Sequence, residues 1–247
     1  MPHAIELKSE ETALEQHDNL PIAKELDEVH RKFSENFLQL ESVNERQICN
    51  ECGRKRIFAP QIQLPVKIDI IKHPLELNAK STAVHCRLTA STSTAMYDSF
   101  DDVPDYSKLS NSSSTKERVV VVYPSKTAVS VEDFVAAHGP IDRFIFLDGT
   151  WNNVGALVKL SQLQGLPFVS LKKYRTQYWR PQPGLTDDHL ATIEAIYHAV
   201  NEHEEALKGS IKCEGTDGSS ELSALLFWFC FLRSRVDWQR YRKKLQD

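Results

Sequence analysis

The chain has 247 residues, a net charge of -4 and 41% hydrophobic residues. That is enough apolar material for one sizeable core with appendages, and too little positive charge to coat nucleic acid wholesale, although a local basic patch is compatible with it. Met1 to Glu15 is polar and acidic, which reads against a secretory signal. The one strongly apolar helical stretch, Leu225 to Leu232, is too short to cross a bilayer. With five cysteines, of which only Cys49 and Cys52 are closely paired, the expectation is a soluble, intracellular, reduced protein.

Met1 to Asn19 lacks apolar periodicity and reads as an acidic tail. From Leu20 to Leu40, apolar residues recur at helical spacing (Ile22, Leu26, Val29, Phe33, Phe37, Leu40), which predicts an amphipathic helix. Residues 1–44 are therefore read as a tail and helix preceding a domain over 45–247. Cys49-Asn50-Glu51-Cys52-Gly53 is half of a zinc knuckle. No second cysteine pair lies nearby, so a knuckle without metal is favoured over bound zinc at Cys49 and Cys52. Val66, Ile68, Ile70 and Ile71 predict a strand that His73-Pro74 breaks. Asn78 to Thr82 reads as a polar turn, and Ala83, Val84, Cys86 and Leu88 as strand residues. Ser91 to Lys116, rich in Ser, Thr and Asp, reads as a surface insertion.

Val119 to Tyr123 is a β-branched run with the character of a parallel strand. Ser130 is placed to cap a short helix with Gly139 past its end. Arg143 to Leu147 (RFIFL) predicts a strand buried on both faces, and Asp148-Gly149-Thr150-Trp151 ends it sharply. A helix is expected from Asn152, and another strand from Pro167 to Leu171. The alternation of strands and helices predicts an α/β fold with a parallel sheet flanked by helices. In such folds ligands bind at the carboxyl ends of the strands, which is where Asp148, Thr150 and Trp151 fall. The plainer alternative is Asp148 as a helix cap and Trp151 as core.

Lys172 to Arg180 interleaves cations with aromatics, a pattern suited to RNA: cations meet phosphates and rings stack on bases. The alternative is a loop whose rings pack back on the domain. Thr186-Asp187-Asp188 is placed to cap a helix carrying Thr192 and Glu194. Leu222 to Leu245 reads as a final helix, buried at its start and basic at its end (Arg240, Arg242), where it could meet RNA phosphates.

The order and spacing of these pieces carry a resemblance. They are the Cys-x-x-Cys knuckle, His73-Pro74, Lys80-Ser81-Thr82, Tyr123-Pro124-Ser125, Leu147-Asp148-Gly149-Thr150-Trp151, Tyr174 to Arg180, and Thr192-x-Glu194-Ala195. Together, over Glu45 to Val236, they resemble the DTW-domain family of tRNA-uridine aminocarboxypropyltransferases. The chain departs from that pattern at Ile57 to Pro60, where further cysteines are usual, and at Ala191, where Ser is usual. The resemblance implies a SPOUT-like parallel sheet, a knotted path, and a small Cys-x-x-Cys appendage. It implies transfer of the 3-amino-3-carboxypropyl group of S-adenosylmethionine to N3 of a tRNA D-loop uridine, in the nucleus and/or cytoplasm. It makes Asp148, Thr150 and Trp151 catalytic. It makes Lys80, Ser81, Thr82, Pro124, Asp148, Thr192 and Glu194 cofactor-binding. The RNA surface it implies is Lys172, Lys173, Tyr174, Arg175, Trp179, Arg180, Arg240 and Arg242. The chain has no Gly-x-Gly-x-x-Gly, so a Rossmann-type cofactor site is not expected. Two other readings stay open: a tRNA methyltransferase on the same fold, and a non-catalytic RNA-binding module. No membrane partner is expected.

Overall fold

The computed structural model describes residues 21–42, 59–106, 108, 117–180, 184–210 and 219–237. Its centre is a six-stranded, all-parallel sheet of β1 (Lys67–Lys72), β2 (Thr94–Tyr97), β3 (Val119–Val122), β4 (Val129–Ser130), β5 (Arg143–Asp148) and β6 (Phe168–Ser170), in the order β2-β1-β5-β3-β6-β4. The apolar run before Asp148 is thus a central strand, hydrogen-bonded to β1 on one side and β3 on the other.

Side chains alternate across a strand, so each strand divides its apolar residues between two layers. Ile68, Ile70, Val120, Phe144 and Phe146 face the larger one. That layer is built from α1 (Pro21–Lys32), α2 (Ser34–Ser42), α3 (Ala83–Thr89), α4 (Val131–His138), α6 (Thr192–Ser210) and α7 (Phe227–Ser234). Ile71, Val119, Val121 and Ile145 face the other way, toward α5 (Trp151–Leu157), a 3-10 turn at Ser161–Leu163 and the segment holding Val103 and Tyr106.

The predicted Leu20 to Leu40 helix is α1 and α2, whose hydrogen bonding runs on through Phe33. Its apolar stripe docks on the C-terminal helix, with the Phe37 and Phe227 rings 4.9 Å apart. The Ser130 cap and the turn at Gly139 (φ 83°) form as expected, and the Ser130 hydroxyl accepts the Asp133 amide at 3.0 Å. Cys49, Cys52, Arg240 and Arg242 lie outside the described residues. No His/Cys/Asp/Glu cluster able to hold a metal, and no helix long and apolar enough to cross a membrane, occurs among the described residues.

Four expectations are corrected. Ala83 to Leu88 is helix, not strand: Ala83, Val84, Cys86 and Leu88 share a buried cluster, which a helix between β1 and β2 satisfies. The surface insertion 91–116 contains β2, which pairs with β1, and Tyr106, which is fully buried with its hydroxyl donating to Asp69 at 2.9 Å. An edge strand needs only a short ladder, so β2 carries no long apolar run. Thr186 starts a separate turn, and α6 begins six residues later at Thr192. The final helix is broken into Ser219–Leu222, a 3-10 turn at Ser223–Leu226, and α7. Leu222 to Cys230 is buried throughout, so packing on all sides sets its path rather than one apolar stripe.

Candidate active site

The site forms where β5 ends. The Asp148 side chain has the same parity as Phe144 and Phe146 and points into the larger layer, toward the first turns of α3 and α6. It is 2% exposed. The Ser81 hydroxyl donates to its Oδ2 at 2.7 Å and the Thr192 hydroxyl to its Oδ1 at 2.6 Å. Burial raises the Asp148 carboxyl above its ordinary range, opposed by these two hydrogen bonds and by the Lys72 charge. Thr192 opens α6, whose N-terminal dipole also favours a negative charge there. Asp148 does not cap α5; Thr150 takes the N-cap position, without a side-chain hydrogen bond.

Glu194 closes the same corner from the third position of α6. It is fully buried, and both oxygens are engaged. Oε1 accepts the Gln177 amide at 2.7 Å, and Oε2 accepts the Thr176 hydroxyl at 2.6 Å and the Ala191 amide at 2.8 Å. Binding the N-cap amide from the third helical residue is half of a capping box. The other half needs a hydroxyl that Ala191 lacks. Thr82 supplies it from another element: its Oγ1 accepts the Ile193 amide at 3.3 Å. Thr82 thus does for this helix what a hydroxyl at position 191 would do. Burial pushes the Glu194 carboxyl up to about 7, against its three donors and the nearby Arg233.

In front of this corner lies a cleft of about 350 Å³. Its apolar walls are Val122, Phe146, Val154, Val169 and Leu190. Gly149 lies in the lining, and a Cβ there would meet His73 Cβ at 3.1 Å, so a side chain would crowd the turn. The rim is polar: Lys172, Lys173, Tyr174, Asp188 and His189. The Trp151 ring meets His189 edge to face, with centroids 4.8 Å apart. Tyr174 stacks on the buried His198 at 3.6 Å.

The structure divides the predicted site residues into three groups. Pro124, Trp151, Thr192, Lys172, Lys173 and Tyr174 line the cleft. Asp148, Ser81, Thr82 and Glu194 stand behind it as fasteners among β5, α3, α6 and the 176–178 loop. Ser81, Thr82 and Glu194 each have protein partners for their polar atoms, so in this fold they tie the corner together. Two hydroxyls likewise hold the Asp148 oxygens, one on each. The third group lies away from the cleft. Lys80 is exposed and its carbonyl accepts the Tyr178 hydroxyl at 3.3 Å; Thr150 and Arg175 are exposed. Arg180 donates to the Ala79 carbonyl at 3.0 Å, and the half-buried Trp179 packs on Phe229 with ring centroids 5.1 Å apart. Asp188, read from sequence only as part of a cap, and His189, not singled out there, also line the cleft. Their signal was local: two titratable residues just before Thr192-x-Glu194.

A parallel α/β sheet with a polar-rimmed cleft at its strand carboxyl ends has the architecture of a ligand-binding α/β domain. A profile of the DTW domain matches residues 46–237, and the chain belongs to that family. It is 29% identical to "tRNA-uridine aminocarboxypropyltransferase 1" of Xenopus laevis over an alignment of 272 positions, covering 87% of this chain and 89% of that protein. It is 28% identical to the Mus musculus protein of the same name and 27% to that of Homo sapiens, each covering 81% of this chain and 80% of the relative. No solved structure shows significant similarity to it.

Proposed function

We propose that this chain is a tRNA-uridine aminocarboxypropyltransferase. It moves the 3-amino-3-carboxypropyl group of S-adenosylmethionine to N3 of a D-loop uridine and releases methylthioadenosine. The observation that carries this reading is the cleft on the Asp148-Gly149-Thr150-Trp151 turn, with the Thr192 hydroxyl held at its floor by the buried Asp148. The names of the relatives support the same chemistry. When bound, the sulfonium supplies an electrophilic carbon. Which of its three carbons reacts is a question of placement.

The chain's residues meet those demands. The walls of Val122, Phe146, Val169 and Leu190 suit an adenine ring, and Gly149 leaves the backbone open to close approach. Because the Thr192 hydroxyl donates to Asp148, its oxygen keeps lone pairs able to accept a hydrogen bond from an ammonium group. Lys172 and Lys173 offer cations for a carboxylate or a phosphate. Asp148 acts through Thr192 and Ser81 and is a positioning residue. The exposed Lys173 and Arg175 extend the rim into a basic strip for tRNA phosphates. A SPOUT-like classification with a knotted path, and residence in the nucleus and/or cytoplasm, belong to the same reading. The all-parallel sheet and the absence of a glycine-rich nucleotide loop from the sequence support the former.

Incubation with undermodified tRNA and S-adenosylmethionine, followed by nucleoside mass spectrometry, tests the proposal. An aminocarboxypropyl adduct on uridine is expected. A methyl adduct would make the chain a methyltransferase, and cofactor binding without any adduct would overturn the proposed activity.

A further inference from the structure

A loop uridine reaches a protein cleft only after its base has left its own stack, so the protein must offer that base another surface. Phe146 is buried in the cleft wall, and the partly exposed aromatics of the lining are Tyr123, Trp151 and Tyr174. Tyr123 and Trp151 meet Phe168 and His189 at steep angles, 66° and 88°. Tyr174 differs. It lies flat on His198, at 9° and with ring centroids 3.6 Å apart.

The ring is fixed at one face and at its far end. His198 is 3% exposed, and its Nε2 is buried without a hydrogen-bond partner among the described residues. No polar contact at that atom explains the imidazole's place, so what the fold uses is its face. Burial pushes His198 down to about 4, so the backing ring is neutral near neutral pH. Glu202, also buried, accepts the Tyr174 hydroxyl and, at 2.9 Å, the Lys172 amide. A ring held in this way has little rotamer freedom left to lose when something stacks on it.

Helix periodicity shows which way the uncovered face turns. Thr192 and Ala195 line the cleft from α6. His198 and Glu202 follow them at three- and four-residue spacing and continue the same stripe of the helix. Tyr174 covers that continuation. Its inner face is therefore against α6, and its outer face is turned away from the helix on the side where the cleft lies. The exposed Lys172 and Lys173 precede it in the same lining.

We propose that Tyr174 is a substrate-binding residue, the platform on which the target uracil stacks, with His198 and Glu202 as positioning residues that hold its plane. The inference rests on the tRNA-uridine reading of the cleft. The base stacks at the rim, where Lys172 and Lys173 meet its flanking phosphates. The apolar walls of Val122, Phe146 and Val169 are left to the adenine of the cofactor. Stacking takes the face of the base and leaves its N3 edge free to react.

The test uses undermodified tRNA and the same tRNA with the uridine that acquires the group replaced by an abasic nucleotide. Both are bound to the wild-type chain, Tyr174→Leu, Tyr174→Phe and His198→Ala, and S-adenosylmethionine affinity is measured on each protein. Tyr174→Leu should bind the intact tRNA about tenfold more weakly, the scale for losing one base–aromatic stack, and should match wild type on the abasic tRNA. Tyr174→Phe keeps the ring and should stay within about threefold of wild type. His198→Ala should weaken binding of the intact tRNA and cost nothing more in a Tyr174→Leu background. S-adenosylmethionine affinity should stay within about threefold throughout. Intact-tRNA binding unchanged in Tyr174→Leu, a penalty that persists on the abasic tRNA, an equal penalty in Tyr174→Phe, or a joint loss of cofactor affinity would overturn the assignment. Additive losses from His198→Ala and Tyr174→Leu would remove the positioning role of His198. A wild-type chain that leaves the tRNA without an aminocarboxypropyl group would refute the functional reading itself.

Discussion

Thr192→Val isolates the contact on which the site is built. Valine matches threonine in volume and branching, so no cavity opens and the start of α6 keeps its shape. What disappears is one hydroxyl donor to Asp148 at 2.6 Å, in a place where the carboxylate is 2% exposed and water cannot replace it. Hydrogen bonds to charged groups contribute about 1.5–3 kcal/mol, and removing one partner leaves the other's desolvation uncompensated. The variant should therefore lose about 2 kcal/mol. For a domain of this size that is a fall in Tm of about 4–8 °C. The same substitution in an Asp148→Asn background should cost less, about 1 kcal/mol, because a hydrogen bond between neutral groups is worth about half of one to a charge. Urea unfolding of the four proteins gives the coupling energy. Equal losses from Thr192→Val in both backgrounds would refute the reasoning, since Thr192 would then be stabilising α6 by some other route.

Two further outcomes are expected. The Glu194 carboxyl lies at about 7 in the fold against an ordinary 4.5, so the fold favours its neutral form. The stability this group contributes is full below about 4.5 and lost as pH rises through about 7. Each tenfold change in proton affinity between the folded and unfolded chain corresponds to about 1.4 kcal/mol, so wild type should lose up to about 3 kcal/mol relative to Glu194→Gln between pH 4.5 and 8. Urea midpoints that track each other across that range would rule this out. Lys173→Glu with Arg175→Glu should weaken tRNA binding and lower the slope of log affinity against log salt by about one for each phosphate no longer neutralised. An unchanged salt slope would remove this strip from the RNA surface.

What the chain order and residue types determined is the scaffold. Val119 to Val122 and Arg143 to Leu147 declare themselves as buried parallel strands, because apolar residues on both faces of a short segment fit little else. The turn after Asp148, the helix after it and the capped helix after Ser130 follow from local chemistry for the same reason: each depends on neighbours a few residues away. The roles of the polar residues are not local. Asp148 meets Ser81 and Thr192 from 67 and 44 residues away in the chain, and only folding decides that all three turn inward. Glu194 looks like a helix glutamate until the 176–178 loop is folded over it. Trp179 sits in a basic-aromatic run, and only the fold brings its ring against Phe229, far along the chain. Thr94 to Tyr97 is a strand because β1 offers it an edge, not because of its own pattern. His189 acquires a partner when α5 and the turn before α6 meet across the cleft. Side-chain direction and burial belong to the assembled layers, so the sequence carries the framework and the site's vocabulary, while tertiary contact alone assigns which carboxylates turn inward and what they hold.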